Sequence, residues 1–346
     1  MKPSAGIIAL SAAVIAVTAV IVTMVSKQRN RDQEEMKDHL TCILELDDIA
    51  DSSAALVTGY QYHLLRRFAA DRGGSIDISL SPEGFSGRDS LRAGLVDIIV
   101  APLQDSTGRD GLLSSRPIDS LCVWLACHND RRLMKEIEDW LEDWYGSEEY
   151  PATRDMFLVN FNPYRNTRRN YMSPYDSLMK SHADSTGTDW RLLAAVAYKE
   201  SRFHIEAKSR RGASGLMQMM PHTAASHGFT DLLDPDRSIS AGATYLKRLR
   251  SHYRKGAADP EELMKFSLAA YNAGIGRLDN CLLFAGRHGK DISRWEEVLE
   301  AMPEMKDSLA ADSTAVFYKS ALGNETVCYV ETVTEIYHAF CRIYPE

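Results

Sequence analysis

The hydrophobic pattern changes character three times along this chain. Residues 6–25 are apolar and uncharged, Gly-Ile-Ile-Ala-Leu-Ser-Ala-Ala-Val-Ile-Ala-Val-Thr-Ala-Val-Ile-Val-Thr-Met-Val. About twenty residues at about 1.5 Å each span a hydrocarbon core of about 30 Å, which predicts a transmembrane anchor or signal segment over residues 1–26. A signal peptide has a shorter apolar stretch with a small-x-small site behind it; no such site lies between Thr23 and Gln28, which favours an uncleaved anchor. Lys2 precedes the run while Lys27, Arg29 and Arg31 follow it, so the flanking charges do not orient it. Residues 27–40 are polar and charged and read as a stalk.

From 41 to 160 short β-branched runs alternate with helical stripes. Strands are predicted at Thr41–Leu46, Ser75–Leu80, Val96–Val100 and Leu121–Cys127. Between them, Ser53–Arg72 sets Leu56, Tyr60, His63, Leu64 and Phe68 on one helical stripe, and Gly73-Gly74 ends it. Shorter helices are predicted at Gly87–Leu95 and Asp130–Tyr145. This alternation predicts an α/β domain with a largely parallel sheet. Residues 161–175, with Pro163, Pro174 and several Arg and Asn, read as a linker. From 176 to 346 the period is helical almost throughout: Trp190–Ser201, a helix after Pro221, Ile239–Tyr253, Pro260–Asn272 and Glu325–Ile343. The fold class expected is therefore multidomain, α/β followed by all-α, behind an N-terminal transmembrane helix.

One glutamate stands out in this pattern. Glu200 ends the run Thr188-Asp189-Trp190-Arg191-Leu192-Leu193-Ala194-Ala195-Val196-Ala197-Tyr198-Lys199-Glu200. Its i−3, i−4 and i−7 neighbours are Ala197, Val196 and Leu193, so its carboxyl falls on an apolar face. It also sits at a helix C-terminus, the negative end of the dipole. Both effects disfavour ionisation and raise the pKa, which suits a general acid for glycosidic cleavage. A second carboxylate would be expected in an ordinary glycosidase. The nearest, Asp231, Asp234 and Asp236, lie in a polar loop that reads as turn and cap chemistry, and Glu206 reads as solvated.

Four ordered blocks surround this residue: Glu200-Ser201-Arg202-Phe203; Ser209-Arg210-Arg211-Gly212-Ala213-Ser214-Gly215-Leu216-Met217-Gln218-Met219-Met220-Pro221; Ala270-Tyr271-Asn272-Ala273-Gly274; and Glu325-Thr326-Val327-Cys328-Tyr329-Val330. Together they resemble the Slt-type (family 1) lytic transglycosylases, lysozyme-like enzymes that cut bacterial peptidoglycan. The resemblance implies one catalytic residue, Glu200, acting as acid and then as base with help from the substrate's acetamido group, and a 1,6-anhydro product. It implies that Ser201 fixes the local backbone and that Ser209 meets the acetamido group. Gly215 would admit close approach to the sugar, and Met217 and Gln218 would line the cleft. Tyr271 and Asn272 would form the opposite wall, and Tyr329 would bond Glu200. No cofactor and no metal are implied.

The segment Leu91-Arg92-Ala93-Gly94-Leu95-Val96-Asp97-Ile98 resembles periplasmic solute-binding proteins, here reduced to one lobe over residues 41–160. Without a second lobe there is no interlobe cleft. This pairing of domains resembles the membrane-bound lytic murein transglycosylase F group. The implied partners are peptidoglycan glycan strands and a membrane, with the body in the periplasm; the inner membrane is favoured for the anchor, with the outer membrane as the alternative. A lysozyme-like hydrolase and a membrane-tethered glycan-binding protein remain as alternatives.

Composition alters this picture little. A formal charge of −8 over 346 residues argues against nucleic-acid binding and is neutral on glycans. The six cysteines include no CxxC pair, so zinc is not indicated and buried thiols are the expected fate of most.

Overall fold

In the computed structural model, residues 37–46, 55–81, 86–105, 111–159, 171–302 and 322–345 are described. The expected apolar anchor and most of the stalk lie outside these residues. Among the described residues no helix is long and apolar enough to cross a membrane.

The first half builds a five-stranded sheet in the order β2-β1-β3-β5-β4. β1 (His39–Leu44) begins inside the expected stalk, so the polar stretch ends in a strand. β1 runs parallel to β2 (Ser75–Leu80), with His39 opposite Ser75, and parallel to β3 (Ile98–Pro102), with Cys42 opposite Ile98. The chain passes between these parallel strands through helices, as parallel pairing requires. α1 (Val57–Asp71) joins β1 to β2, and α2 (Arg88–Arg92) joins β2 to β3.

The other half of the sheet departs from the expected parallel arrangement. β5 (Cys122–Cys127) pairs antiparallel with β3 and with β4 (Leu112–Ser114). The link from Ser115 to Leu121 is too short for a crossover helix, so β4 and β5 must form a hairpin. α3 (Arg131–Gly146), capped by Asp130 on the Leu133 N–H, buries Leu133, Met134, Ile137, Leu141 and Trp144 along one stripe. α4 (Glu149–Leu158) follows, with Pro151 in its first turn, where a missing N–H costs nothing.

The second half is helical. α5 (Asp176–Thr186) ends on Gly187, which is left-handed at φ 64°. α6 (Trp190–Ser201) is buried from Arg191 to Ala197, so it is the central helix of this half. Around it pack α5, α8 (Pro235–Tyr253) and α12 (Asn324–Ile343). α7 (Pro221–Ser226), α9 (Pro260–Ala273), α10 (Ile275–Arg287) and α11 (Trp295–Glu300) complete it.

The two halves share one buried apolar cluster. Met172 and Tyr175, expected in the linker, are buried in it. Tyr175 packs edge-on to Phe157 of α4, with ring centroids 6.2 Å apart, and its hydroxyl closes on Gly59 of α1. Tyr62 of α1 donates to Asp234 Oδ2 at 3.0 Å, while Asp234 Oδ1 caps α8 at the Arg237 N–H.

Candidate active site

Glu200 lies in the last turn of α6 and is partly exposed. Burial raises its carboxyl to about 7, against the opposing pulls of a hydrogen bond from Tyr329 and of the Lys199 charge. Tyr329, on α12, donates its hydroxyl to Glu200 Oε1 at 2.7 Å. Among the described residues this is the protein partner of the Glu200 side chain. The proton that Glu200 can deliver therefore belongs on Oε2.

Two buried phenols face this carboxyl. Tyr329 and Tyr271 are both held well above the usual tyrosine range, first by burial and then by the Glu200 charge. Both stay neutral, so they offer hydrogen-bonding hydroxyls rather than charge. Tyr271, near the end of α9, donates to the Met217 carbonyl at 2.7 Å. This bond ties the wall opposite Glu200 to the loop that carries Met217.

That loop, residues 207–219, is folded on itself. Gly215 N–H donates to Ala207 O, Ser209 N–H to Ala213 O, and Ser214 N–H to Met219 O. Gln218 sits at φ 44°, a left-handed position unusual for a side-chain residue. Its Nε2 donates to Ala207 O at 2.7 Å and Gly215 O at 3.0 Å. The donor expected to face a sugar is thus committed to the loop, which leaves Oε1 as the atom open to a ligand.

Several residues do their work inward. Met217 is fully buried, so its carbonyl rather than its side chain takes part in the wall. Gly215, at φ 76°, is required by protein backbone: a Cβ there would strike the Leu232 carbonyl and Ser238 Oγ. Ser201 is buried and donates to Ala197 O and Leu216 O while accepting the Phe203 N–H. It pins the turn after Glu200 to the loop. Ser209 is exposed; its Oγ accepts the Ala213 N–H and keeps its own proton to donate.

Asn272 is exposed, and its Oδ1 accepts from Thr326 Oγ1 at 2.8 Å. Sequence reasoning missed Thr326 as a residue with a role, although it sits one turn before Tyr329. It also missed Ser238, whose Oγ accepts the Met217 N–H at 3.3 Å, and Tyr245, whose ring lies 5.6 Å from that of Tyr271. Nothing local marks Ser238, since its importance comes from the approach of α8 to the loop.

The other acids are occupied elsewhere. Asp231 accepts backbone N–H groups of its own turn, Asp236 pairs with His182, and Asp234 caps α8. Glu206 Oε1 lies 3.1 Å from His204 Nδ1. Among the described residues no cluster could hold a metal ion.

Residues 177–292 match the family model of the transglycosylase SLT domain. This SLT-matching segment contains Glu200, the folded loop, Tyr271 and Asn272, and it ends before Tyr329. The chain is also similar to proteins named membrane-bound lytic murein transglycosylase F. One, from Desulfosudis oleivorans, is 32% identical over 224 residues, covering 62% of this chain and 48% of the relative. Another, from Marinobacter nauticus, is 36% identical over 174 residues, covering 50% of this chain and 34% of the relative. The chain thus spans about half or less of these curated relatives. A solved structure, the 70 kDa soluble lytic transglycosylase from Escherichia coli, aligns at TM-score 0.39 and 22% identity, over 61% of this chain and 35% of that one.

Proposed function

We propose that this chain is a peptidoglycan lytic transglycosylase. It would cleave the β-1,4 bond between N-acetylmuramic acid and N-acetylglucosamine and leave 1,6-anhydro ends. The observation that carries this is a single acid: Glu200, raised to about 7 and bonded at Oε1 by a neutral tyrosine. A carboxyl in that range is protonated in part of the population near neutral pH, as a general acid requires. Among the described residues no second carboxylate shares the site, which supports substrate assistance rather than a two-carboxylate reaction.

The geometry supports the following sequence of events. Glu200 Oε2 gives its proton to the glycosidic oxygen as the bond to the muramoyl C1 breaks. The substrate's own acetamido oxygen supports the cationic carbon, and the free Ser209 hydroxyl proton is available to orient that group. Glu200, now a carboxylate steadied by the Tyr329 hydroxyl, takes the proton of the muramoyl C6 hydroxyl. The C6 oxygen closes on C1, Glu200 is again neutral, and no water is consumed.

The apolar run at residues 6–25 and the printed names of the relatives support a membrane-anchored enzyme with its body in the periplasm. The first half supports a reading as one solute-binding-like lobe, through its three parallel strands β2-β1-β3 and their crossover helices. The test is a digest of purified sacculi analysed by mass. Muropeptides lighter by one water than lysozyme products support the reading, and products with free reducing ends replace it with a hydrolase.

A further inference from the structure

Several hydroxyls on these helices turn back on their own helix. Ser251 and Ser267 donate to the carbonyls of Lys247 and Leu263, and Thr332 to that of Cys328, each four residues back. Thr326 behaves differently. It stands in the first turn of α12, where the residue four back, Leu322, lies outside the helix. Its Oγ1 crosses to α9 instead and donates to Asn272 Oδ1 at 2.8 Å. Thr326 is only 3% exposed, so water competes little for this bond.

The bond places Asn272 beside the acid. Thr326 and Tyr329 stand three residues apart, on one face of α12. One holds Asn272 and the other holds Glu200. The two points of attachment are therefore about 4.5 Å apart along the axis of α12, at about 1.5 Å per residue. Tyr271 is tied inward by the Met217 carbonyl, while Asn272, the next residue, is exposed.

The same bond decides which end of the amide faces outward. An amide offers a ligand either an acceptor or two donors, according to which way it is turned. Thr326 donates to the oxygen. The positive end of the α12 dipole also favours an oxygen over an NH2 group at this place. Nδ2, which has no partner among the described residues, is left as a double donor beside Glu200.

We propose that Thr326 is a positioning residue: it turns the Asn272 amide so that the Nδ2 donors meet an oxygen of the glycan next to the bond that Glu200 cuts. This rests on the lytic transglycosylase reading for the glycan itself. Thr326 touches no reacting atom and acts through Asn272 alone, so its loss weakens binding and leaves the acid undisturbed.

Binding is read in the Glu200→Gln background, where cutting is suppressed, by calorimetry of the full chain with an N-acetylglucosamine hexamer. Thr326→Val keeps the shape and removes the hydroxyl; it should weaken binding about tenfold, as for one lost hydrogen bond. Thr326→Ser should bind like the parent. Asn272→Asp keeps the acceptor for Thr326 and has no donor, so it should bind as poorly as Thr326→Val. In an Asn272→Ala chain Thr326→Val should have no further effect, since the pair acts as one unit. With Glu200 intact, Thr326→Val should lower kcat/KM on sacculi by the same factor through KM, with the alkaline limb near pH 7 unmoved. A merely structural Thr326 would shift Tyr329 along with α12 and move that limb. If Thr326→Val melts well below the parent, Asn272→Asp, a substitution at an exposed position, carries the test. Equal affinity of the parent and Thr326→Val, full binding by Asn272→Asp, a moved limb, or no saturable binding of the hexamer overturns the proposal. Free reducing ends on the sacculus products, with Thr326→Val still binding about tenfold more weakly, would instead remove the lytic reading and keep the positioning role.

Discussion

Glu200 is governed by two opposed influences, and each can be varied alone. Burial raises its pKa to about 7; the Tyr329 hydroxyl, which favours the ionised form, holds it down. If Glu200 must be protonated to cut, kcat/KM should fall as pH rises through about 7. Tyr329→Phe removes the stabiliser of the carboxylate, so this alkaline limb should move to higher pH; a limb that stays put would separate Tyr329 from the titration. Glu200→Gln should lower the rate by about 10² to 10⁴ or more, because one group serves both proton transfers. Stability should move the other way. The folded pKa lies above the usual 4.5, so the native state binds the extra proton and loses stability as pH rises from about 4.5 to about 7. Glu200→Gln removes that cost, at most about 3.4 kcal/mol for the full shift. Its melting temperature should match wild type near pH 4 and exceed it at pH 8, which calorimetry at the two pH values checks.

Among the elements, the loop between α6 and α7 shows how backbone conformation decides a site. Gly215 is left-handed and lies against the Leu232 carbonyl, so Gly215→Ala meets both a strained φ and a backbone clash. It should cost more than about 1 kcal/mol and reduce activity, because Met217, Gln218 and the Tyr271 bond follow from this turn. Thermal melts and sacculus assays on one preparation would check this; an unchanged melt with full activity would contradict it. Element types were legible where the period was long. α6 could be read from its good helix formers and its Asp189 cap, and Asp189 does accept the Arg191 N–H. Other elements were not legible. No helix was expected over Glu149–Leu158, where Pro151 stands in the first turn of α4. α5 has mostly polar residues, and only its packing against α6 and α8 makes it a helix. β4 is three residues long and exists because β5 lies beside it.

Across the whole molecule, the continuous core makes the two halves one structural unit. Phe157 sits at their junction, with rings of Tyr60 and His63 at 5.8 and 5.6 Å, Tyr175 beyond, and its carbonyl taking the Leu56 N–H. Phe157→Ala should cost about 3–5 kcal/mol and lower a single melting transition of the full chain. Two transitions, with only one displaced, would show that the halves unfold independently. By itself the sequence determined the alternation of strands and helices, the helical second half and the apolar face that holds Glu200. These are local periodicities, and the chain's own spacing carries them. It also marked Tyr329 and Tyr271, but only through a resemblance of ordered blocks. Tertiary structure alone decided which carboxylate oxygen meets Tyr329, that Gln218 turns its amide donors into its own loop, and that Met217 turns inward. It also turned half of the sheet antiparallel and drew Met172 and Tyr175 into the core. The reason is physical: side-chain direction, burial and hydrogen-bond partners depend on residues far apart in the chain, and no spacing within one segment encodes them.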